Sequence, residues 1–510
     1  MSSEEHPRLP AAAVWPPPGN HRARRAPRLS PALLQSLFWI GVAVVLGLLL
    51  GSQAAGVSIR YTKLFVGLFF IYILIRYPTY VGVGVFLLLF PFPAVIQVGS
   101  TNLIFVALLA IAWLVRSAFG REARPARTGL DWAIGAYVAA LVFSFVNTTN
   151  PVQFTNSIRA FLNLLVPVIL FYTILHVVRS ERRLLFVARM FTISSAVLFL
   201  AAFLERFAPG VTFIPRWYVT AFGASMMAEG QAQRIGGMLS HDMMGDLAAI
   251  VCTVQIFMAI RAGGRPLWRV VHWVLALAAI YVISLTGNRG ALTACLLGLL
   301  YFFWIFRREI TIKRLALGVL ALLGMLFLGE KTLGRFEGNI TLLTRVAGTY
   351  LERGLPDTRR LAWTYAWQRI MQRPITGHGL YYPFGSMGPG QYVGWPHNEL
   401  LFYLETTGLI GMLAYVVVLV RILKRTWAGG GLRIGSVSLA RGMTAIWHIA
   451  IVQFTIGQMR TDHQRGDVSV YVMWIVFAFG IAAQRIWRDQ RAGITASEDR
   501  PEAPGFDPAR

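Results

Sequence analysis

The chain has 510 residues, 56% hydrophobic and only 14% charged, against about 25% charged in soluble domains, which excludes an ordinary soluble globule. A formal net charge of +25 would suit a nucleic-acid partner, but the cations fall in short clusters between apolar runs, which argues for membrane topology and against nucleic-acid binding. The two cysteines, Cys252 and Cys295, both lie inside apolar runs, which argues against a disulfide framework or a metal cluster.

Residues 1–30 are polar, basic and proline-containing, without the apolar core and cleavage site of a secretory signal, and read as a disordered cytoplasmic tail. Beyond them, apolar runs of the length that crosses a ~30 Å hydrocarbon core recur near 34–50, 63–76, 80–97, 102–118, 131–147, 160–178, 184–205, 237–261, 268–286, 290–306, 313–329, 398–423, 438–458 and 468–484. They predict an all-α polytopic membrane protein of about 12–14 transmembrane helices, the lower figure if short neighbours are re-entrant. The expected organisation is transmembrane helices over 31–329 with a periplasmic loop near 206–236, a large periplasmic loop with short helices over 330–397, transmembrane helices over 398–487, and a second disordered cytoplasmic tail over 488–510.

The cation clusters at Arg22–Arg28, Arg121–Arg127, Arg179–Arg183, Arg261–Arg269, Arg307–Arg314 and Arg421–Arg425 fall at alternate membrane exits. By the positive-inside rule these loops and both termini are cytoplasmic. Two outward segments are long, and long ordered loops are uncommon unless they carry function. In the larger, "PDTRRLAWTYAWQRIMQRP" sets Trp363, Trp367, Ile370 and Met371 at helical spacing, with Asp357 or Thr358 able to cap the start. That stripe suits a helix lying on the outer membrane interface. Tyr381, Tyr382, Tyr392 and Trp395 suit either stacking on sugar rings or interfacial anchoring.

In "GWPHNELLFYLETTGLIG", residues 394–411, Pro396 fits the first position of a helix. At 100° per residue, His397 then shares one face with Gly408 and Gly411, and the glycines let another helix approach. A helix N-terminus disfavours imidazolium, so His397 reads either as a neutral base or as a capping group.

Several arginines lie at outward edges against the positive-inside trend: Arg289, Arg234, Arg216, Arg359, Arg360 and Arg369. Their planar forks match phosphate oxygens, the alternative being interfacial snorkelling. His241, Asp242 and Asp246 fall at the start of a span, where an ionisable group costs about 2.5–3.5 kcal/mol, so a carboxylate paired with an arginine is the simpler explanation and a catalytic acid the other. EF-hand, zinc, P-loop and GxSxG patterns are all missing, so no metal or nucleotide cofactor is indicated.

"HNELLFYLETTGLIG" resembles the H-[N/S/Q]-x9-G-x-x-G pattern of bacterial O-antigen ligases, with Asn398, Gly408 and Gly411 in the pattern's places. "NRGALTACLLGLL" and "RRLAWTYAWQRIMQRPITGHGL" are similar to segments of the broader O-antigen ligase and polymerase superfamily. The resemblance implies an inner-membrane GT-C glycosyltransferase of lipopolysaccharide or polysaccharide biosynthesis. Such an enzyme takes a glycan from undecaprenyl diphosphate and transfers it, with inversion and without a metal, to an acceptor hydroxyl on the periplasmic side. It implies His397 as base or acceptor-orienting residue, and Arg289, Arg234 and Arg359 or Arg360 as diphosphate ligands; Arg216 joins these candidates by its outward position alone. His378 in "GHGL" stands where a small apolar residue is commoner and has no assigned role. The implied partners are the lipid-linked donor, lipid A core or a growing polysaccharide as acceptor, and membrane lipids. An O-antigen ligase is the first expectation and a polymerase the second. A lipid-linked oligosaccharide transporter is a third, although no internal repeat supports it.

Overall fold

A computed structural model describes residues 59–89, 100–207, 241–334, 342–347, 357–381, 386–388, 391–392, 396–460 and 467–493. The helices are α1 Ile59–Arg76, α2 Thr79–Leu89, α3 Ser100–Ala118, α4 Asp131–Phe143 with a 3-10 turn at Ser144–Asn147, α5 Pro151–Val177, α6 Glu181–Phe207, α7 His241–Arg261 and α8 Pro266–Thr286. They continue with α9 Arg289–Ile305, α10 Ile312–Gly334, α11 Leu342–Ala347, α12 Asp357–Gln372, α13 Glu399–Thr426, α14 Leu439–Gln458 and α15 Asp467–Arg491. A small antiparallel hairpin, β1 Ser386–Gly388 with β2 Gln391–Tyr392, lies between α12 and α13.

Among the described residues, α5, α6, α7, α8, α13, α14 and α15 contain stretches long and apolar enough to cross a membrane, and shorter apolar helices occupy Val66–Arg76, Thr79–Leu89, Asn102–Ala118, Asp131–Asn147 and Arg289–Ile305. The protein is an all-α, multi-pass membrane protein. The run expected at 34–50, the first tail and nearly all of the 206–236 loop lie outside the described residues. Helix α5 starts nine residues before its apolar run because Asn150 caps it, accepting from Gln153 N–H at 2.8 Å, and Pro151 fits the first turn. Helix α15 runs to Arg491, into the stretch expected as tail.

Burial separates central from peripheral helices. In α7 and α15, 89% of the apolar stretch is buried, against 44% in α13. A helix apolar all round belongs in the middle of a bundle, and α15, with Trp474 fully buried, packs against α14, α5 and α13. Cys252 and Cys295 are free and buried.

The basic loops meet at one end of the bundle. Arg179 donates to the Arg124 carbonyl at 3.2 Å, Arg261 to Ile434 and Val437 carbonyls at 3.1 and 3.0 Å, and Arg485 to the Val178 carbonyl at 3.3 Å. Leu432 N–H donates to the Ile305 carbonyl, and Ala440 N–H to Glu181, each at 2.8 Å. Arg179 and Arg183 also donate to the His176 and Val177 carbonyls at 3.0 Å each, so with Arg485 these cations close the C-terminus of α5, whose carbonyls attract them. The far end holds the 3-10 turn after α4, the α8–α9 turn, the loop after α12 and the starts of α7, α9 and α13.

Candidate functional site

Helix α13 does not begin at Pro396. Asn398 is its N-cap, with Oδ1 accepting from Leu400 and Leu401 N–H at 3.0 and 3.1 Å, and the first helical residue is Glu399. Asparagine is among the strongest N-caps because its side chain satisfies donors the helix leaves open, and it sets the boundary in preference to proline's fixed φ. His397 lies before the cap, half-buried, with φ 48°, the sole non-glycine residue with positive φ among those described. Such a conformation costs of order 1–3 kcal/mol and persists only where its surroundings impose it. The Asn398 amide also donates to the Met459 carbonyl at 2.9 Å, tying the start of α13 to the end of α14. Asn398→Ala is expected to lower stability by about 1 kcal/mol, read in thermal unfolding of the detergent-solubilised protein.

The expected single face through His397, Gly408 and Gly411 is also broken. At Gly408 (φ 67°, ψ −167°) α13 leaves helical geometry, so residue angles cannot be summed across it. The chain from Pro374 to Gly379, just after α12, fills the break. Leu409 N–H donates to the Pro374 carbonyl at 2.8 Å, and the N–H groups of His378 and Gly379 donate to the Glu405 and Thr406 carbonyls at 2.9 Å each. A helix can break at membrane depth only where protein satisfies the released backbone groups, and here the loop does so. A Cβ on Gly408 would overlap the Ile375 carbonyl, one on Gly377 the Thr406 backbone, and one on Gly411 the Thr407 side chain. The loop is held in turn by Asn147, donating to the Gly377 carbonyl at 2.8 Å, and by Gln153, donating to the His378 carbonyl at 3.2 Å.

His378 is buried and donates from Nε2 to the Arg369 carbonyl at 2.9 Å. Burial holds its imidazole below the ordinary range, the hydrogen bond to Arg369 partly offsetting this and the charges of Arg369 and Arg373 adding to it. Beneath it, Arg369 faces Glu405 at 3.0 Å, with side chains only 5% and 1% exposed. Gly408→Ala is expected to destabilise the protein by at least about 1–3 kcal/mol, because this φ/ψ region is almost confined to glycine. Thermal unfolding tests it.

At the far end, Gly287 turns α8 off with φ 60°, and Asn288 caps α9, accepting from Ala291 N–H at 3.1 Å. Arg289 is thus the first residue of α9, half-buried. The Asn288 amide donates to the Asp242 carbonyl at 3.1 Å, joining the starts of α9 and α7. Asp242 and Asp246 pair with Arg460, which follows α14: Asp246 at 2.6 Å and Asp242 at 3.6 Å. A Cβ on Gly290 would overlap the Arg460 side chain. The carboxylates therefore do find an arginine, but one that is not among the six outward arginines Arg216, Arg234, Arg289, Arg359, Arg360 and Arg369. Its only sequence signal is a cation at an outward exit, in "GQMRTDHQ".

Helix α12 joins the same region, since the Trp363 indole donates to the Pro396 carbonyl at 2.5 Å, one residue from His397. Arg359 lies one turn before Trp363 on the same face and is half-buried, whereas Arg360 is exposed. Of the expected stripe, Trp367 and Met371 are 52% and 63% exposed, but Ile370 is buried with Ala362 and Ala366 against the protein. Arg216, Arg234, Tyr382 and Trp395 lie outside the described residues, as do the side chains of His241, Asp357, Thr358 and Tyr392.

The chain of contacts thus runs from Trp363 to Pro396, from Asn398 to Met459, and from Arg460 to Asp242, Asp246 and Gly290. It brings the segments carrying Arg359, His397 and Arg289 to one rim, with several helix N-termini, whose dipoles favour an anion. Residues 274–416 match the family model described as O-Antigen ligase. That stretch contains Arg289, Arg359, Arg360, His397, Gly408 and Gly411 and ends before Arg460. No curated protein matches the chain.

Proposed function

We propose, from the match of residues 274–416 to the O-antigen ligase family model, that the chain is a glycosyltransferase-like membrane enzyme that transfers a glycan from a polyprenyl diphosphate to an acceptor hydroxyl at the end opposite the basic loops. The positive-inside rule makes that end periplasmic in a bacterial inner membrane, with the termini cytoplasmic. The observation that carries the proposal is the convergence of the His397, Arg289 and Arg359 segments through Asn398, Trp363 and Arg460.

The chemistry needs cationic groups on the leaving diphosphate and a base for the acceptor. Arg289, at the N-terminus of α9, engages the diphosphate, joined by Arg359, and by Arg234 and Arg216 from the 206–236 loop. Arg360, exposed on the other side of α12, is the weaker candidate for that role. His397, neutral beside positive helix ends, accepts the acceptor's proton as its oxygen bonds to the anomeric carbon. The carbon–oxygen bond to the diphosphate breaks in the same in-line step, inverting the centre, and the lipid diphosphate leaves as an anion held by guanidinium groups. A break in α13 beside the loop that follows α12 gives the site a fixed floor.

The acceptor reading is lipid A core, as for an O-antigen ligase. With purified protein and lipid-linked glycan, transfer to rough lipopolysaccharide supports it. A ladder of products without lipopolysaccharide identifies a polymerase instead, and movement of the donor between leaflets without any product identifies a transporter. Arg289→Ala is expected to lower turnover by about 10²–10³-fold, as for loss of one charge-stabilising donor, and Arg289→Lys to recover only part because the bidentate fork is lost. Equal activity in both variants and the wild type removes Arg289 from the mechanism.

A further inference from the structure

Arg460 lies outside the matched family segment, yet its side chain occupies the point where three chain segments meet. It is 17% exposed, so it is largely withdrawn from solvent. Its Nη2 reaches Asp246 at 2.6 Å, and that carboxylate is only 3% exposed. Its Nη1 lies 3.6 Å from the partly exposed Asp242. Both aspartates belong to the first turns of α7. The stem of the side chain crosses Gly290, the second residue of α9, where a Cβ would overlap it. The residue before it, Met459, accepts the Asn398 amide from the cap of α13.

We infer that Arg460 is a positioning residue, a strap that anchors the end of α14 to α7, lies over the start of α9 and, through Met459, holds the start of α13, thereby fixing the spacing between Arg289 and His397. The inference deepens the transferase reading and rests on it for its catalytic consequence. The geometric part stands on the contacts alone. Asp246 supplies a buried countercharge, so removing the guanidinium leaves a carboxylate in the bundle without its partner at 2.6 Å, and the three helix starts lose their common tie. Gly290 is required because any side chain there displaces the strap while leaving every charge in place.

The test uses full-length protein in lipid nanodiscs, with nitroxide labels at Thr293→Cys on α9 and Leu401→Cys on α13. The distribution of distances between them is measured alongside steady-state kinetics with a polyprenyl-diphosphate-linked glycan. The wild type is expected to show one narrow distribution. Arg460→Met should broaden it and lower kcat about 10²-fold, the scale of effect of a small misplacement of reacting groups. The donor KM should change by less than about threefold, as expected when geometry and not uniform binding is lost. Arg460→Lys, which can still reach Asp246, should keep the narrow distribution and most of the rate. Gly290→Ala should behave like Arg460→Met, and it carries the test if Arg460→Met does not yield a monodisperse protein.

An unchanged distribution and rate in Arg460→Met and Gly290→Ala overturns the inference. So does a narrow distribution with a raised donor KM, which would make Arg460 a phosphate ligand. If the distances broaden as expected but the labelled wild type transfers no glycan to any acceptor, the strap stands and the transferase reading falls.

Discussion

His397→Ala is expected to abolish measurable glycan transfer, a loss of about 10²–10⁴-fold for removal of a positioned base, while the protein still inserts and folds. Alanine alone does not isolate the chemistry, because position 397 has φ 48°, a conformation that alanine adopts less readily than histidine. His397→Gly and His397→Asn do, since both residues accept positive φ and neither carries an imidazole. All three variants are expected to be equally inactive with donor and acceptor at saturation. Retention of stability by the Gly and Asn variants assigns the loss to the ring. Wild-type transfer by either would remove His397 from the reaction and leave the Asn398 cap as the motif's purpose.

The second large effect is expected at Glu405. Glu405→Gln takes away the carboxylate charge 3.0 Å from Arg369, in a place where both side chains are almost fully covered. Breaking a buried pair by neutralising one partner typically costs about 3–5 kcal/mol. The Tyr365 ring, 5.8 Å from the guanidinium, softens the loss without replacing the charge. The double variant Arg369→Met/Glu405→Leu removes both charges at similar volume and is expected to be closer to wild type than either single change. Thermal unfolding of the detergent-solubilised proteins, read as a double-mutant cycle, decides it. Strictly additive losses would mean that the two groups do not interact.

Activity should follow stability here, because the pair lies under the loop that completes the broken helix. Arg369 is on α12, five residues before Pro374 at the start of that loop, and Glu405 is the last residue but two before Gly408. Loosening the pair frees α12, whose Trp363 is hydrogen-bonded to Pro396 beside His397. Glu405→Gln is therefore expected to lower kcat as well as the unfolding temperature.

The apolar helices and the gathering of the basic loops at one end of the bundle were legible in the residues themselves. Crossing a hydrocarbon layer demands a certain length of apolar chain, and cations near helix C-termini mark one end; both signals are local in sequence. The histidine motif and the outward arginines were legible as candidates for the same reason, each being a polar group in a place that ordinarily disfavours it. Even the pairing of Asp242 and Asp246 with an arginine could be anticipated from the cost of leaving a carboxylate in a span.

Which arginine it was could not, because Arg460 is 214 residues from Asp246 and next to an apolar run resembles any interfacial cation. Nor could the form of α13. A helical projection presumes an unbroken helix, whereas Asn398 delays its start and Gly408 interrupts it, so periodicity placed His397 on a face that does not exist. The interruption is stable only because backbone groups about thirty residues upstream supply the missing hydrogen bonds, and Gly377 and Gly408 allow the two backbones to touch. Apolar transfer acts on each residue separately and is written along the chain, but hydrogen bonds and ion pairs between distant segments exist only once folding has brought both partners together.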